Sequence, residues 1–255
     1  MAPSRWRILE GKVVAITGGT TGIGRAIALE YLRQGCNVAM NPLGLERDEK
    51  HKLSLVAEAA ALKAEKVEGE TTSKAGDLLE VVGDVTKARQ AQYWLRRRWR
   101  DGESWIYSWL MLKFRAGRFL TLFRVHLRKD MANRTVDWTT SFIDRTCPRR
   151  WRIADALPPT KAGVLSLMQS MAISLGKDNL RCNTILPETT KTQLSEDDMK
   201  NDVKRKYLEA RIPMGRVADT SDIAGPAVFL ASEHLSPYCN GPQLLSDGGM
   251  FVNLQ

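Results

Sequence analysis

Five apolar or β-branched residues, Val13-Val14-Ala15-Ile16-Thr17, run directly into Gly18-Gly19-Thr20-Thr21-Gly22, and no other feature of the chain restricts its fold as much. A short run of this kind forms a buried parallel strand covered on both faces. The glycines break it. Ile23, Ala26, Ile27, Leu29 and Leu32 then recur at helical spacing as far as Gly35, which reads as a C-terminal stop. A strand, a Gly-rich turn and a helix in this order present unpaired N–H groups and a positive dipole end beyond the strand. Glycines let the backbone approach a pyrophosphate closely, and Thr20 and Thr21 add hydroxyl donors.

The pattern repeats downstream. Asn37 to Asn41 reads as a second strand, Glu46 to Lys66 as a charged Ala/Leu-rich helix, and Leu78 to Val82 as a third strand leading into Gly83-Asp84-Val85. Alternation of this kind predicts an α/β fold, a doubly wound parallel sheet of the Rossmann-like type with right-handed crossovers. At 255 residues one domain over 1–255 suffices. In the second half, Ala162 to Leu175 reads as an amphipathic helix and Arg181 to Leu186 as a strand ending at Pro187. Asp198 to Leu208 reads as a helix over a loop able to cover a site, Ser221 to Ser232 as a helix, and Leu244-Leu245 as part of a last strand. Pro242 removes a ladder N–H, so it fits only an edge or a strand start.

Residues 88–157 depart from this regularity. They hold fourteen Arg and two Lys against six Asp or Glu, a net of +10, whereas the whole chain nets +9. Basicity therefore belongs to one segment. The same segment holds six of the seven Trp and shows no sustained period of 2 or 3.6. Three readings compete. It is a basic aromatic insert for RNA or single-stranded DNA, centred on Arg96-Arg97-Arg98-Trp99-Arg100; a diverged stretch of the same domain; or out-of-frame sequence from a mis-splice or frameshift. The last is preferred, because the Arg/Trp bias is abrupt at both ends and the segment stands where the central strands belong. Those strands are therefore doubtful on sequence, and no nucleic-acid partner is expected.

Other function classes are narrowed quickly. Met1 to Lys12 has no apolar core run, and Trp105 to Leu112 is far short of the about 20 residues that span a bilayer. A cytoplasmic chain without membrane attachment is expected. Cys36, Cys147, Cys182 and Cys239 are scattered, and with three distant His no metal site is expected.

The spacing T-G-x-x-x-G-x-G over residues 17–24 resembles the fingerprint of the short-chain dehydrogenase/reductase family. The likeness continues at Gly83-Asp84-Val85, Thr160-Lys161-Ala162-Gly163, Arg181-Cys182-Asn183, Gly215-Arg216, Asp222-Ile223-Ala224 and Asp247-Gly248-Gly249, so it covers 1–87 and 158–255. Within the family, the runs from Arg211 to Asp219 and from Asp222 to Ser232, with the tail from Asp247, look most like the fungal L-rhamnose 1-dehydrogenases. The resemblance implies an NAD(P)-dependent oxidoreductase acting on a small molecule, a sugar or carbonyl compound. It implies oxidation of an aldose hydroxyl to a lactone, with a 3-oxoacyl or other carbonyl reductase as the alternative. It also implies a homo-oligomer built through the last strand and neighbouring helices.

Carried over residue by residue, the resemblance assigns Gly18, Thr20, Thr21, Gly22, Ile23 and Gly24 to the pyrophosphate. Asp84 and Val85 go to the adenine, and Thr190 and Thr192 to the nicotinamide and phosphates. Asn41 closes the second strand, where an acidic residue would bind the adenine ribose and repel a 2′-phosphate. A neutral Asn allows NADP and does not exclude NAD; a plain turn residue before Pro42 is the equal alternative. Lys161 matches the family's catalytic Lys, which holds the nicotinamide ribose and lowers the pKa of a Tyr four residues earlier. Leu157 stands at that Tyr position and has no proton to give. The family Ser would fall near Ile143, Asp144 and Arg145; Ser141 is the nearest hydroxyl, and a solvated loop role suits it better. Glu188 replaces a family Gly after Pro187. Read literally, the chain is a non-catalytic dinucleotide-binding protein or a defective gene product. One choice of codons for residues 154–158, read one base later, gives Gln-Thr-Leu-Tyr and returns a Tyr to position 157, which permits the frameshift reading without establishing it.

Overall fold

The structure is a computed structural model that describes residues 7–65, 75–84, 87, 107–109, 134–139 and 157–253. Val13–Thr17 (β1) is buried along its whole length, as its apolar composition requires. It pairs in parallel with Asn37–Asn41 (β2), from Val13 opposite Asn37 to Thr17 opposite Asn41. Leu78–Glu80 (β3) lies outside β2. On the other side follow Tyr107–Trp109 (β4), Arg134–Thr139 (β5), Leu180–Pro187 (β6) and Gln243–Ser246 (β7). Among the described residues the sheet has seven strands, all parallel, in the order β3-β2-β1-β4-β5-β6-β7.

The centre of the sheet is thus occupied, and by two strands from the Arg/Trp-rich segment. Ladder hydrogen bonds are made by the backbone and do not read the side-chain period. Arg134-Thr-Val-Asp-Trp-Thr139 is also rich in β-branched and aromatic residues. A three-residue strand such as β4 is too short to carry a detectable alternation.

Helices cover both faces. Gly22–Arg33 (α1), Glu46–Ala64 (α2) and Ser221–Ala231 (α6) enclose one core, with Ile27, Tyr31, Leu32, Leu55, Ile223 and Ala227 packed on Val14, Ile16, Val38 and Met40. Leu157–Leu175 (α3) covers the other face, where Val164, Met168 and Ala172 meet Cys182 of β6. The buried Tyr31 hydroxyl donates to the Ala227 carbonyl at 2.9 Å and ties α1 to α6. Arg181, 7% exposed, donates to the carbonyls of Leu230 and Cys239 at 2.9 and 3.3 Å. Its charge therefore meets the negative end of α6. None of the described helices is long and apolar enough to cross a membrane.

Local boundaries follow local chemistry. Gly35 takes φ +81°, Gly35 N–H bonds Leu32 O and Cys36 N–H bonds Tyr31 O, the paired closure that a left-handed residue gives a helix end. Pro242 precedes edge strand β7, and its carbonyl still accepts from Thr184 N–H. Helix α3 begins at Leu157 instead of Ala162, because Pro158 and Pro159 fall in its first turn, where no intrahelical N–H is needed. The covering segment is two helices, Glu196–Lys200 (α4) and Asp202–Arg211 (α5), instead of one over 198–208. The break is at Asn201, whose side chain accepts from Lys204 N–H and caps α5.

Asp222 opens α6. It accepts from Arg216 at 2.6 and 2.9 Å and from Asp219 N–H at 2.8 Å. The guanidinium beside it lowers its carboxyl from the ordinary 3.8 to about 2. A depressed folded-state value stabilises the fold above the unfolded value near 3.8, and that contribution is lost as pH falls through about 2. Asp222→Asn should therefore lower the melting temperature by about 1–3 °C at pH 7, a small effect for an exposed pair. The two proteins should melt together near pH 2; a gap that persists there would assign the effect to something other than this ion pair.

Candidate functional site

Parallel strands deliver all their carboxyl ends to one edge, and the crevices there are where doubly wound sheets hold ligands. Here that edge carries the Gly-rich turn after β1, Asn41 at the end of β2, Gly83-Asp84 beyond β3, and Glu188 to Thr192 beyond β6. Gly18 and Gly22 have φ of +66° and +57°, so both positions need glycine. Thr21 is the N-cap of α1 in extended geometry, and its side chain makes no capping bond. The first N–H groups of α1 thus remain directed at the edge. Thr20, Thr21, Gly22 and Ile23 are partly exposed, while Gly24 is buried in the packing of α1.

Residues 188–195 fold back over this turn. A Cβ at Gly22 would stand 3.3 Å from the Thr192 methyl, so the turn and this segment face each other across the space a side chain would fill. Thr190 donates to Glu188 O at 2.9 Å, and the Ser195 hydroxyl donates to Thr190 O at 2.7 Å while accepting from Thr192 N–H at 2.9 Å. The Thr192 hydroxyl accepts from Leu194 N–H at 3.3 Å, and its own hydrogen is left to donate. Sequence reasoning missed the Gly22–Thr192 apposition and the role of Ser195. A Ser three residues after a Thr is a turn signal, but nothing local says which distant glycine the turn meets.

Asn41 is 4% exposed and donates to Val81 O and Gly83 O, each at 2.9 Å, which ties the end of β2 to the exit of β3. Asp84 is partly exposed on that exit. Val85 and Ser141 lie outside the described residues. Lys161 stands on α3 one turn after Leu157, partly buried, and burial pushes its ammonium below the usual lysine range. Glu188 is partly exposed; its Oε1 accepts from the Thr189 hydroxyl at 3.3 Å and its N–H donates to Ser246 O at 3.4 Å. The strands therefore bring the turn, Asn41 and Asp84 to one half of the edge and leave Lys161 on the opposite face toward β6.

A cavity of about 730 Å³ also borders Gly22 and Thr192. It runs along the outer face of α1, past Arg25, Leu29 and Arg33, and includes none of Asn41, Asp84 or Lys161. It flanks the turn and is not the path across the edge. Among the described residues no group of His, Cys, Asp or Glu is arranged to hold a metal.

Comparison with known proteins accounts for this arrangement. A family model described as short chain dehydrogenase matches residues 12–95, and one described as Enoyl-(Acyl carrier protein) reductase matches 139–251. The chain is 42% identical to an L-rhamnose-1-dehydrogenase of Scheffersomyces stipitis, over 97% of this chain and 99% of that one. It is 36% identical to an L-rhamnose 1-dehydrogenase (NAD(P)(+)) of a Sphingomonas species, over 98% and 100%. Among solved structures, the Pseudomonas aeruginosa RhlG/NADP active-site complex shares the fold with a TM-score of 0.73 at 20% identity, covering 96% of this chain and 98% of that one. The chain belongs to the short-chain dehydrogenase family. The stretch between the two family models is 96–138, narrower than the 88–157 marked out by composition.

Gly22→Val tests the turn. It places a branched side chain at φ +57° and against Thr192. NAD(P) affinity measured by calorimetry should fall at least about tenfold, a loss of some 1.4 kcal/mol. Unchanged affinity would remove the turn from the binding site.

Proposed function

We propose that this chain is built on an NAD(P)-dependent dehydrogenase that oxidises a sugar hydroxyl, an aldose such as L-rhamnose at its anomeric carbon, to the lactone. The observation that carries this reading is the 42% identity with the Scheffersomyces stipitis L-rhamnose-1-dehydrogenase across nearly the full length of both chains. In this reading Gly18, Thr20, Thr21, Gly22, Ile23 and Gly24 hold the pyrophosphate, and Asn41, Asp84 and Val85 the adenosine. Thr190, Thr192 and Lys161 hold the nicotinamide end. The fit rests on the cradle at Gly22, where a Cβ would fill the approach and the helix N–H groups are free to meet an anion. The dinucleotide, when bound, supplies the hydride acceptor.

The chain's own residues must orient the sugar and remove a hydroxyl proton. Lys161 carries charge for a ribose contact, and Leu157, one turn earlier, has no transferable proton. That position favours a second reading, a dinucleotide-binding protein without turnover, for the sequence as it stands. Residues 88–157 as out-of-frame sequence would reconcile the two, since the family models leave 96–138 between them. A homo-oligomer through β7 is supported by its place at the sheet edge and by exposed Phe229, Leu245 and Phe251 nearby. The cytoplasm is the compartment that fits an NAD(P)-dependent sugar dehydrogenase.

Sugar-dependent NAD(P)H formation should be absent or nearly so for the chain as written. General acid–base catalysis contributes about 10²- to 10⁴-fold, so Leu157→Tyr should recover part of the rate at most. Restoring an in-frame middle segment should recover turnover. Ready turnover from the unaltered chain would make 88–157 a working part of the enzyme.

Polynucleotide binding supplies a separate check on the segment. It should be weak, lost by about 0.2 M salt and indifferent to Trp99→Ala. Tight, salt-resistant binding that needs Trp99 would instead identify a nucleic-acid module.

A further inference from the structure

We propose that the cavity along the outer face of α1 is a second small-molecule site, one that takes an uncharged polyhydroxylated ligand of the sugar class. Its volume of about 730 Å³ falls within the about 300–1,000 Å³ typical of ligand sites. Of the residues in the dinucleotide reading it touches only Gly22 and Thr192, so an occupant lies beside the turn and not across the sheet edge. The inference goes beyond that reading and stands without it.

Helix α1 supplies one wall through Gly22, Ala26, Leu29 and Arg33, which recur at helical spacing and so share one stripe. Ala224 and Gly225 of α6 and Met199 of α4 also line the space. Gly225 lies within a helix, and a Cβ there would meet nothing within 4 Å. Small residues on both helices thus leave room instead of closing the gap. The apolar lining of Ala26, Leu29, Met199 and Ala224 is a surface on which the C–H face of a sugar ring can pack.

The polar lining selects against charge. The cations Arg25, Arg33 and Lys191 stand with the anions Glu30, Glu58 and Glu196. Each already has a partner: Arg25 with Glu58 at 2.9 Å, Arg33 with Glu30 at 3.3 Å, Lys191 with Asp219 at 3.1 Å and Glu196 with Lys200 at 2.6 Å. An ionic ligand would meet both signs and, among the described lining residues, no unpaired charge of the opposite sign. Nothing would then offset its lost hydration. The uncharged groups are in the reverse condition. Among the described residues the Gln193 amide and the Thr220 and Ser221 hydroxyls make no hydrogen bond within the protein. Gln193 precedes α4 and the two hydroxyls stand at the start of α6, so donors and acceptors are offered from two elements. A polyol can meet such groups with several hydroxyls at once, each able to donate and accept.

The test titrates the full chain calorimetrically, without dinucleotide, with L-rhamnose and with D-galacturonate, an anionic sugar ring. L-Rhamnose should bind with a dissociation constant of about 1 mM or below, and D-galacturonate at least about tenfold more weakly. Gly225→Leu puts a side chain into the open space and improves helix propensity, so it should fold as the parent does and weaken L-rhamnose at least about tenfold. Gln193→Ala removes an amide that makes no hydrogen bond within the described fold and should weaken it about three- to tenfold, the value of one hydrogen bond. A sugar held at the sheet edge for oxidation would be indifferent to both changes. No binding of L-rhamnose at about 10 mM, or equal affinity for the two sugars, overturns the proposal. Affinity unchanged in Gly225→Leu also overturns it. Should circular dichroism show that variant to be misfolded, unchanged affinity in Gln193→Ala overturns it in the same way.

Discussion

Strand β1 must be hydrogen-bonded on both sides, and the remaining architecture follows from that requirement. Val13, Val14 and Ile16 are wholly buried, with Ala15 and Thr17 nearly so, and water cannot reach their backbone groups. Along a parallel strand, alternate residues send their N–H and C=O to opposite neighbours. Each buried group left unpaired costs about 1–3 kcal/mol. Strand β2 meets one row of these groups, and β4 meets the other, from Val14 opposite Tyr107 to Ile16 opposite Trp109. The Arg/Trp-rich segment thus enters the sheet beside a strand that is buried along its whole length, followed by β5. Backbone pairing can fill those positions with almost any sequence. What backbone pairing does not supply is the apolar run that a strand buried on both faces normally carries.

This division explains how much of the fold was legible in the sequence. Val13 to Gly35 could be read almost residue by residue, because each signal there is local: an apolar run, a glycine at positive φ, a helix closed by Gly35. Pro242 was equally plain, since a missing N–H restricts it wherever the chain goes. Strands β4 and β5 could not be read, because three and six residues among many Arg give no period to detect. The start of α3 was hidden by Pro158 and Pro159, which look like a break and are in fact tolerated in a first helical turn. Asn201 divided the covering segment by capping its second helix, and a lone Asn within a polar run does not announce which of its possible local bonds it makes.

At the site the limit lies elsewhere. The turn was legible because its chemistry is that of its own backbone. Asn41 was legible as a position and not as an orientation. Its amide is turned by carbonyls about forty residues away in sequence, and only the fold brings them together. The same holds for Thr192, whose methyl faces Gly22 across 170 positions of chain. Which atom an amide or hydroxyl presents is a tertiary property, set by partners that only the fold brings near.

Binding and turnover therefore depend on different kinds of residue. The proposed dinucleotide contacts use glycine φ angles, helix N–H groups and an amide held by main-chain carbonyls. All but a few of these lie before residue 85 or after residue 187, outside the anomalous segment. Proton transfer needs one hydroxyl at one place, and position 157 sits at the segment's end with a Leu. Lys161 alone does not replace it. Burial disfavours its charged form, whereas a lysine that lowers a neighbour's pKa must carry that charge. A disturbance confined to the middle of the gene would for that reason spare recognition and remove catalysis. Loss of turnover with retained, turn-dependent nucleotide binding is the combination that such a disturbance produces and that a general failure to fold does not.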